Sequence, residues 1–494
     1  MTGNTKPGLI ILGLAAALGL LGDLLLRPGP DGLNGFLWIG ALAGGLLVAA
    51  RLGGLPLQGT GRWFLIPAVL AVGAATWRGA EALLALDFLA TCAALILTIR
   101  AARTGDLREG GIIWHGLGAV MAGVQAAIGP FFLLFGDISW KEMPRGRWSE
   151  KTAAVGRGLL IAVPLLLLFG ALFVAADAVF AQMTDRVVSF VDGDVFSHIL
   201  LAMVWGGLAA GFLRAALLGK EPKLPEAGRP ASLSFGAIET GVVLGLLNAL
   251  FLAFVVVQFR YFFGGAALVE ATTGLTYAEY ARKGFFELVG VSALVLPLLL
   301  ALHWLVPAEV AAAQRLFRTL AGALVALLFV IMASAVQRML LYQGEYGLTE
   351  QRLYATVFMG WLAVLFVWFI ATVMRDRRGR FVFGAVVSGF VLLAGLHLAN
   401  PNGLIVRTNL ARAAQGKPFD AAYAASLGPD AAPYLVDALP TLAPEAQEIV
   451  AQGLLLSADR SIARDWRNWN WSRHQALQVV EANRDALESW AGQH

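Results

Sequence analysis

The chain has 494 residues, of which 58% are hydrophobic and only 14% charged, against roughly 25% charged in soluble domains. A water-soluble fold of this length could not hide so much apolar surface, and the mean hydropathy of +0.70 points instead to helices embedded in lipid. The single cysteine, Cys92, excludes an intrachain disulfide framework or thiolate metal site, and a net charge of +4 gives no argument for a nucleic-acid partner.

In chain order, the first apolar run covers residues 8–26. It is long enough to span a bilayer and lacks a small-x-small cleavage site before Asp23 and Arg27. It therefore reads as a first transmembrane helix rather than a signal peptide. Runs at 33–50, 63–77 and 81–99 follow. The second of these is short for a span and would form a hairpin with its successor about Arg78-Gly79. Residues 112–135 carry His115, Gln125 and the break Gly129-Pro130, and read as either a kinked span or a re-entrant element. A basic loop with Lys141, Arg145, Arg147, Lys151 and Arg157 precedes spans at 158–180 and 196–218, whose connection is acidic (Asp185, Asp192, Asp194).

A second basic loop (Lys220, Lys223, Arg229) leads into a central helix over 237–263, a polar excursion, and a helix opening near Thr276. Thr276 and Glu279 have capping-box spacing. Spans at 316–341, 351–374 and 381–398 complete an all-α polytopic bundle of about 12 crossings, or about 11 if 112–135 does not cross. The expected organisation is N-terminal transmembrane helices over 1–136, a core bundle over 137–399, and a helical extramembrane domain over 400–494. In that last part, amphipathic stretches at 430–439, 443–456 and 474–487 flank a turn with Trp466, Trp469 and Trp471. These tryptophans are expected to pack within the small domain, with glycan binding or a place on the membrane surface as alternatives.

Lys and Arg concentrate in alternate loops, roughly 15 before residues 158, 237, 316 and 381 and about six elsewhere, which makes those loops cytoplasmic. The acidic loop, the Thr276 excursion, the loop over 342–352 and the C-terminal domain then lie outside. The N-terminus is outside with the larger span count and inside with the smaller.

One pattern recurs. Val257-Gln258-Phe259-Arg260-Tyr261 precedes Gly274-Leu275-Thr276, and Val336-Gln337-Arg338 with Tyr342 precedes Gly347-Leu348-Thr349. Two spans separate the loops, so both share a membrane face. This has the form of a parallel two-helix repeat of the kind some transporters carry, although a shared capping solution accounts for it equally.

Ionisable residues near apolar stretches are Asp23, Asp87, Asp177, Glu239, Arg260, Glu287 and Arg338. Charge in hydrocarbon costs several kcal/mol, which makes such residues functional candidates, but those near helix ends can snorkel to the interface. Asp87 and Glu287 stand out. The two Gly-Leu-Thr loops supply the rest of the candidate set: Arg260, Tyr277, Glu279, Tyr280, Arg282, Arg338, Tyr342 and Arg352. Arginines and tyrosines there could hold an anionic head group, or serve as interfacial anchors that clip the hairpins together. The histidines (115, 198, 303, 397, 474 and 494) are scattered singly. No HExxH, CxxC, Walker-type or GxGxxG signature occurs, so neither a metal nor a cofactor is expected.

The runs 258–265, GLTYAEYARKGFFEL at 274–288, YGLTEQRLY at 346–354 and NPNGLIVRTNLAR at 400–412 resemble the bacterial membrane proteins grouped as domain of unknown function 4173. Residues 175–180 and 430–435 resemble the same family, and the likeness covers residues 158–439. It implies a multi-spanning protein of the bacterial inner membrane, with no reaction or catalytic residue. The leading expectation is a permease-like protein for an anionic or amphiphilic envelope substrate, with membrane lipid, an envelope small molecule or a lipid head group as partner. One alternative is a non-transporting scaffold whose C-terminal domain binds a protein. The other is a membrane-embedded transferase or hydrolase using Glu279 or Glu287 as base, and an enzyme ranks below a non-enzyme.

Overall fold

The computed structural model describes residues 3–55, 57, 61–104, 112–140, 193–219, 234–273, 285–307, 309–377, 379–462 and 465–492, with isolated positions between 158 and 183. Among the described residues all regular structure is helical, and ten helices are long and apolar enough to cross a membrane. They are apolar around their whole circumference, as helices facing lipid on one side and protein on the other must be. The protein is a multi-pass helical membrane protein.

A first bundle gathers α1 (Thr5–Leu26), α2 (Leu33–Gly53), α3 (Leu65–Ala75), α4 (Glu81–Thr104), α5 (Ile112–Phe132) and α6 (Gly193–Leu217) around Ile11, Leu18, Leu46 and Leu213. Small residues set its closest crossing. A Cβ on Gly19 of α1 would stand 2.3 Å from the Ala202 carbonyl oxygen of α6, so glycine is what lets these backbones touch. Trp38 Nε1 donates to the Leu18 carbonyl at 3.1 Å and fixes α2 beside them.

Two elements of this bundle answer questions left open by the sequence. The short α3, with the 3-10 turn Gly61–Phe64 ahead of it, reaches both faces: Gly61 abuts Ala102 at the end of α4. At its other end the Thr76 carbonyl accepts a hydrogen bond from Trp471 N in the C-terminal domain. By contrast, α5 returns to the face it left. Gly118, in its second turn, sits against the guanidinium of Arg100 near the end of α4. Beyond its other end, Asp137 accepts from Arg214 Nε at 2.6 Å in the last turn of α6. Arg103 Nε, in turn, donates to the Ala215 carbonyl at 2.8 Å. The same contacts tie in the start of α1, where Thr5 Oγ1 accepts from Ser139 N. The re-entrant alternative therefore describes α5, and the start of α1 lies on the face opposite the C-terminal domain.

The second bundle comprises α7 (Ala237–Thr273), α8 (Phe285–Leu305), α9 (Ala311–Tyr346), α10 (Glu350–Thr372) and α11 (Gly379–Ala399), around Phe285, Phe317, Phe366 and Phe369. Helices α7 and α9 run parallel: Asn248 Nδ2 donates to the Leu320 carbonyl at 3.0 Å, and Ser334 Oγ donates to Gln258 Oε1 at 2.6 Å. Helix α7 continues ten residues beyond the expected end at 263. The Thr276–Glu279 capping box lies outside the described residues, as does most of the span expected over 158–180.

The two bundles meet where α4 packs on α11 and α10, through Ala80, Leu83, Leu393 and Leu396. The C-terminal domain begins at once: Asn400, at φ 51°, turns the chain sharply and accepts a hydrogen bond from Gly403 N, and Pro401 opens α12 (Pro401–Ala413). α13 (Ala421–Ser426), α14 (Ala432–Ala438), α15 (Pro444–Ile462), α16 (Trp471–Ala482) and α17 (Arg484–Ala491) close a core of Ile405, Leu435, Val450, Leu454 and Leu487. The three tryptophans do not join that core. Trp466, Trp469 and Trp471 are 64%, 40% and 48% exposed, while Asn468 and Asn470 between them and Ser472 after them are buried.

Candidate functional site

Two of the residues named from sequence converge. Glu287, in the first turn of α8, and Arg338, two turns before the end of α9, line one cavity of about 440 Å³ between α7, α8 and α9. Gln258 completes its polar side, buried and held by the Ser334 hydroxyl. The remaining wall is Leu250, Phe251, Phe254, Val257, Leu288, Val291 and Ile331. Leu250, Phe254 and Val257 are exposed, so the cavity opens sideways to lipid. An acid, a base and an amide thus stand over an apolar floor, about 12 Å below the end of α9 at 1.5 Å rise per residue. Such a site can seat a molecule with a polar head and an apolar body.

Tyr342 and Arg352 have a different use. Arg352 Nη2 donates to the Tyr342 hydroxyl at 3.0 Å, and its Cζ lies 4.1 Å from the Tyr342 ring centre. Arg352 Nη1 also donates to the carbonyls of Tyr346 and Gly347, at 3.1 and 2.5 Å. The guanidinium is engaged in closing the α9–α10 turn, the clip that the sequence left as an alternative. The Gly-Leu-Thr loop is gripped from the C-terminal domain as well. Asn409 accepts from Leu348 N at 2.8 Å and donates to the Leu348 carbonyl at 2.9 Å, and Glu350 N donates to the Tyr423 hydroxyl at 2.8 Å. Burial pushes the Tyr423 phenol up from its ordinary value.

Asp87 has a partner the sequence did not suggest. His397 Nε2 lies 2.9 Å from Asp87 Oδ1, with both side chains almost fully buried where the two bundles meet. The Trp77 ring lies near-parallel to the imidazole at 6.5 Å and 16°, and the Arg78 guanidinium lies over the Trp77 ring at 4.5 Å. Arg78 Nε also donates to the His397 carbonyl at 2.9 Å. Its Nη1 lies 3.5 Å from Asp430 in the C-terminal domain, whose other carboxylate oxygen accepts from Gly79 N at 2.7 Å. Asp87 Oδ2, His397 Nδ1, Tyr354 Oη and Asn402 Oδ1 are buried without a hydrogen-bond partner among the described residues. Buried polar atoms left in that state are uncommon.

The side chain of Arg260, and Tyr277, Glu279, Tyr280 and Arg282 altogether, lie outside the described residues. Among the described residues, no group of three or more His, Cys, Asp or Glu side chains is arranged to hold a metal ion.

A family model described as domain of unknown function DUF4153 matches residues 65–438, about three-quarters of the chain, and the chain belongs to that family. The match does not confirm the resemblance to domain of unknown function 4173, although it is of the same kind. No curated protein and no solved structure matches the chain.

Proposed function

From membership of the DUF4153 family as premise, we propose that the protein is a permease-like protein of the bacterial inner membrane that takes an amphiphilic envelope substrate into the cavity between α7, α8 and α9. The observation that carries this is the arrangement of the cavity: Glu287, Arg338 and Gln258 lie along one side of a lipid-open apolar floor. A polar head with an anionic centre would lie against Arg338, with its apolar body on Leu250, Phe254 and Val291. The parallel run of α7 and α9 supports a transporter-like construction from related helix pairs. The face carrying the C-terminal domain is proposed to be extracytoplasmic, because the basic loops cluster on the other.

Native mass spectrometry of the protein released from nanodiscs, with phospholipid titrated in, tests the reading. Arg338→Gln is expected to weaken retention of an anionic phospholipid about tenfold, the size of one charge-assisted hydrogen bond. Leu250→Trp would block the floor from an exposed position without disturbing the core. If both variants, folded as judged by helical circular dichroism, retain phospholipid like the parent chain, the cavity is not the binding site.

A further inference from the structure

The turn over 465–473 reverses the usual pattern of burial. Its asparagines are inside and its tryptophans outside. Asn468 Nδ2 donates to the Pro28 carbonyl at 3.0 Å and to Asp31 Oδ1 at 2.8 Å, and Asn34 donates to Asn468 Oδ1 at 3.2 Å. Asn470 Nδ2 donates to the carbonyls of Ala75 and Arg78 at 2.8 and 2.9 Å. Leu33 N donates to the Trp469 carbonyl, and Trp471 N and Ser472 N donate to the carbonyls of Thr76 and Trp77. Gly32 faces the Asn468 backbone so closely that a Cβ there would stand 2.5 Å away. The turn is thus bolted to the ends of α1, α2 and α3, and the height of its side chains relative to the membrane is fixed by those helix ends.

What covers the indoles follows from that height. Arg467 donates to the Leu24 carbonyl, and the side chains of Leu20 and Leu24 are exposed on α1 at 67% and 60%, which is lipid-facing surface. Trp466 stands next to that contact, and Trp469 and Trp471 meet edge to face at 6.5 Å with His474 against both. The apolar surface of α1 therefore leads up to Trp466, while Trp469 and Trp471 stand over the start of α2 and the end of α3. All three indoles thus sit at the ends of membrane-embedded helices, where hydrocarbon gives way to head groups. Indoles favour that depth, because ring and N–H find different surroundings there. The arginines nearby are already engaged: Arg467 pairs with Asp465 at 2.5 Å and Arg473 with Asp31 at 2.7 Å. We propose that Trp466, Trp469 and Trp471 form a membrane-interface anchor that seats the C-terminal domain in the phospholipid head-group layer.

The test uses the full chain in phosphatidylcholine nanodiscs, with fluorotryptophan at all 14 tryptophans and three resonances assigned by Trp466→Phe, Trp469→Phe and Trp471→Phe. A lipid carrying a nitroxide near its head group is expected to erase these three signals, while iodide-sized aqueous quenchers reach them poorly. Replacing half the lipid with phosphatidylglycerol should leave the effect unchanged, because the arginines are paired. Three signals broadened by an aqueous paramagnetic reagent but untouched by the lipid nitroxide would overturn the proposal. So would a shift produced by soluble glycan fragments in the same lipid-insensitive signals, or attenuation that appears only with phosphatidylglycerol.

Discussion

Replacing Asp87 with alanine would strand His397 Nε2 in a site where both side chains are no more than 3% exposed. A buried polar group that loses its partner costs about 1–3 kcal/mol, and more if the remaining group is charged. Asp87→Asn keeps an acceptor oxygen for the imidazole and should cost much less. Thermal unfolding in nanodiscs should therefore fall clearly for Asp87→Ala and only slightly for Asp87→Asn; equal midpoints would mean the pair does not brace the junction. Asp87 stood out in the sequence because a carboxylate interrupts an apolar run. His397 did not, because a lone histidine is uninformative until the fold closes the 310-residue separation between them. Arg78 and Asp430 escaped for the same reason: each looks like a loop charge, and only the fold brings them to 3.5 Å. Glu287 and Arg338 were each visible as charges near helix ends, but their shared cavity depends on how three helices pack, and no local pattern records that.

At the scale of elements, glycine decides which helices approach closely. A Cβ on Gly211 of α6 would stand 2.0 Å from the Ala126 carbonyl oxygen of α5, and one on Gly129 would stand 2.9 Å from Gly211 Cα. Gly211→Leu must therefore push α5 off α6, whereas Gly207, which has nothing within 4 Å, accepts alanine freely. The expected result is a lowered unfolding temperature and proteolysis within α5 for Gly211→Leu, with Gly207→Ala indistinguishable from the parent. Limited proteolysis followed by mass spectrometry reads both. If Gly211→Leu behaves like Gly207→Ala, the α5–α6 crossing does not constrain the bundle. The long apolar runs read directly as helices, since periodicity and length are local properties. The route of α5 did not, because Gly129-Pro130 permits both a kink and a return. The choice follows from where its ends lie, Gly118 against Arg100 and Asp137 bonded to Arg214, both near one face.

For the whole molecule, the faces are set by parity. Thr5 at the start of α1 is tied to Ser139, and Asp137 to Arg214, on one face. Arg27 at the end of α1 lies 3.8 Å from Asp194 at the start of α6, on the face that carries the C-terminal domain. The first face also holds Arg315, Arg318, Arg375, Arg377 and Arg380, the excess on which its proposed cytoplasmic placement rests. That arrangement joins the N-terminus to the basic face and agrees with the smaller of the two span counts. In a Cys92→Ala background, single cysteines at Gln351 and Ala422 on one face and at Arg315 on the other are all exposed. An impermeant maleimide applied to spheroplasts should label the first two and reach the third only after lysis. The opposite result would turn the protein over. It would place the cavity of Glu287 and Arg338 in the cytoplasmic leaflet and set the tryptophan turn against the cytoplasmic head groups, without altering a contact within the fold.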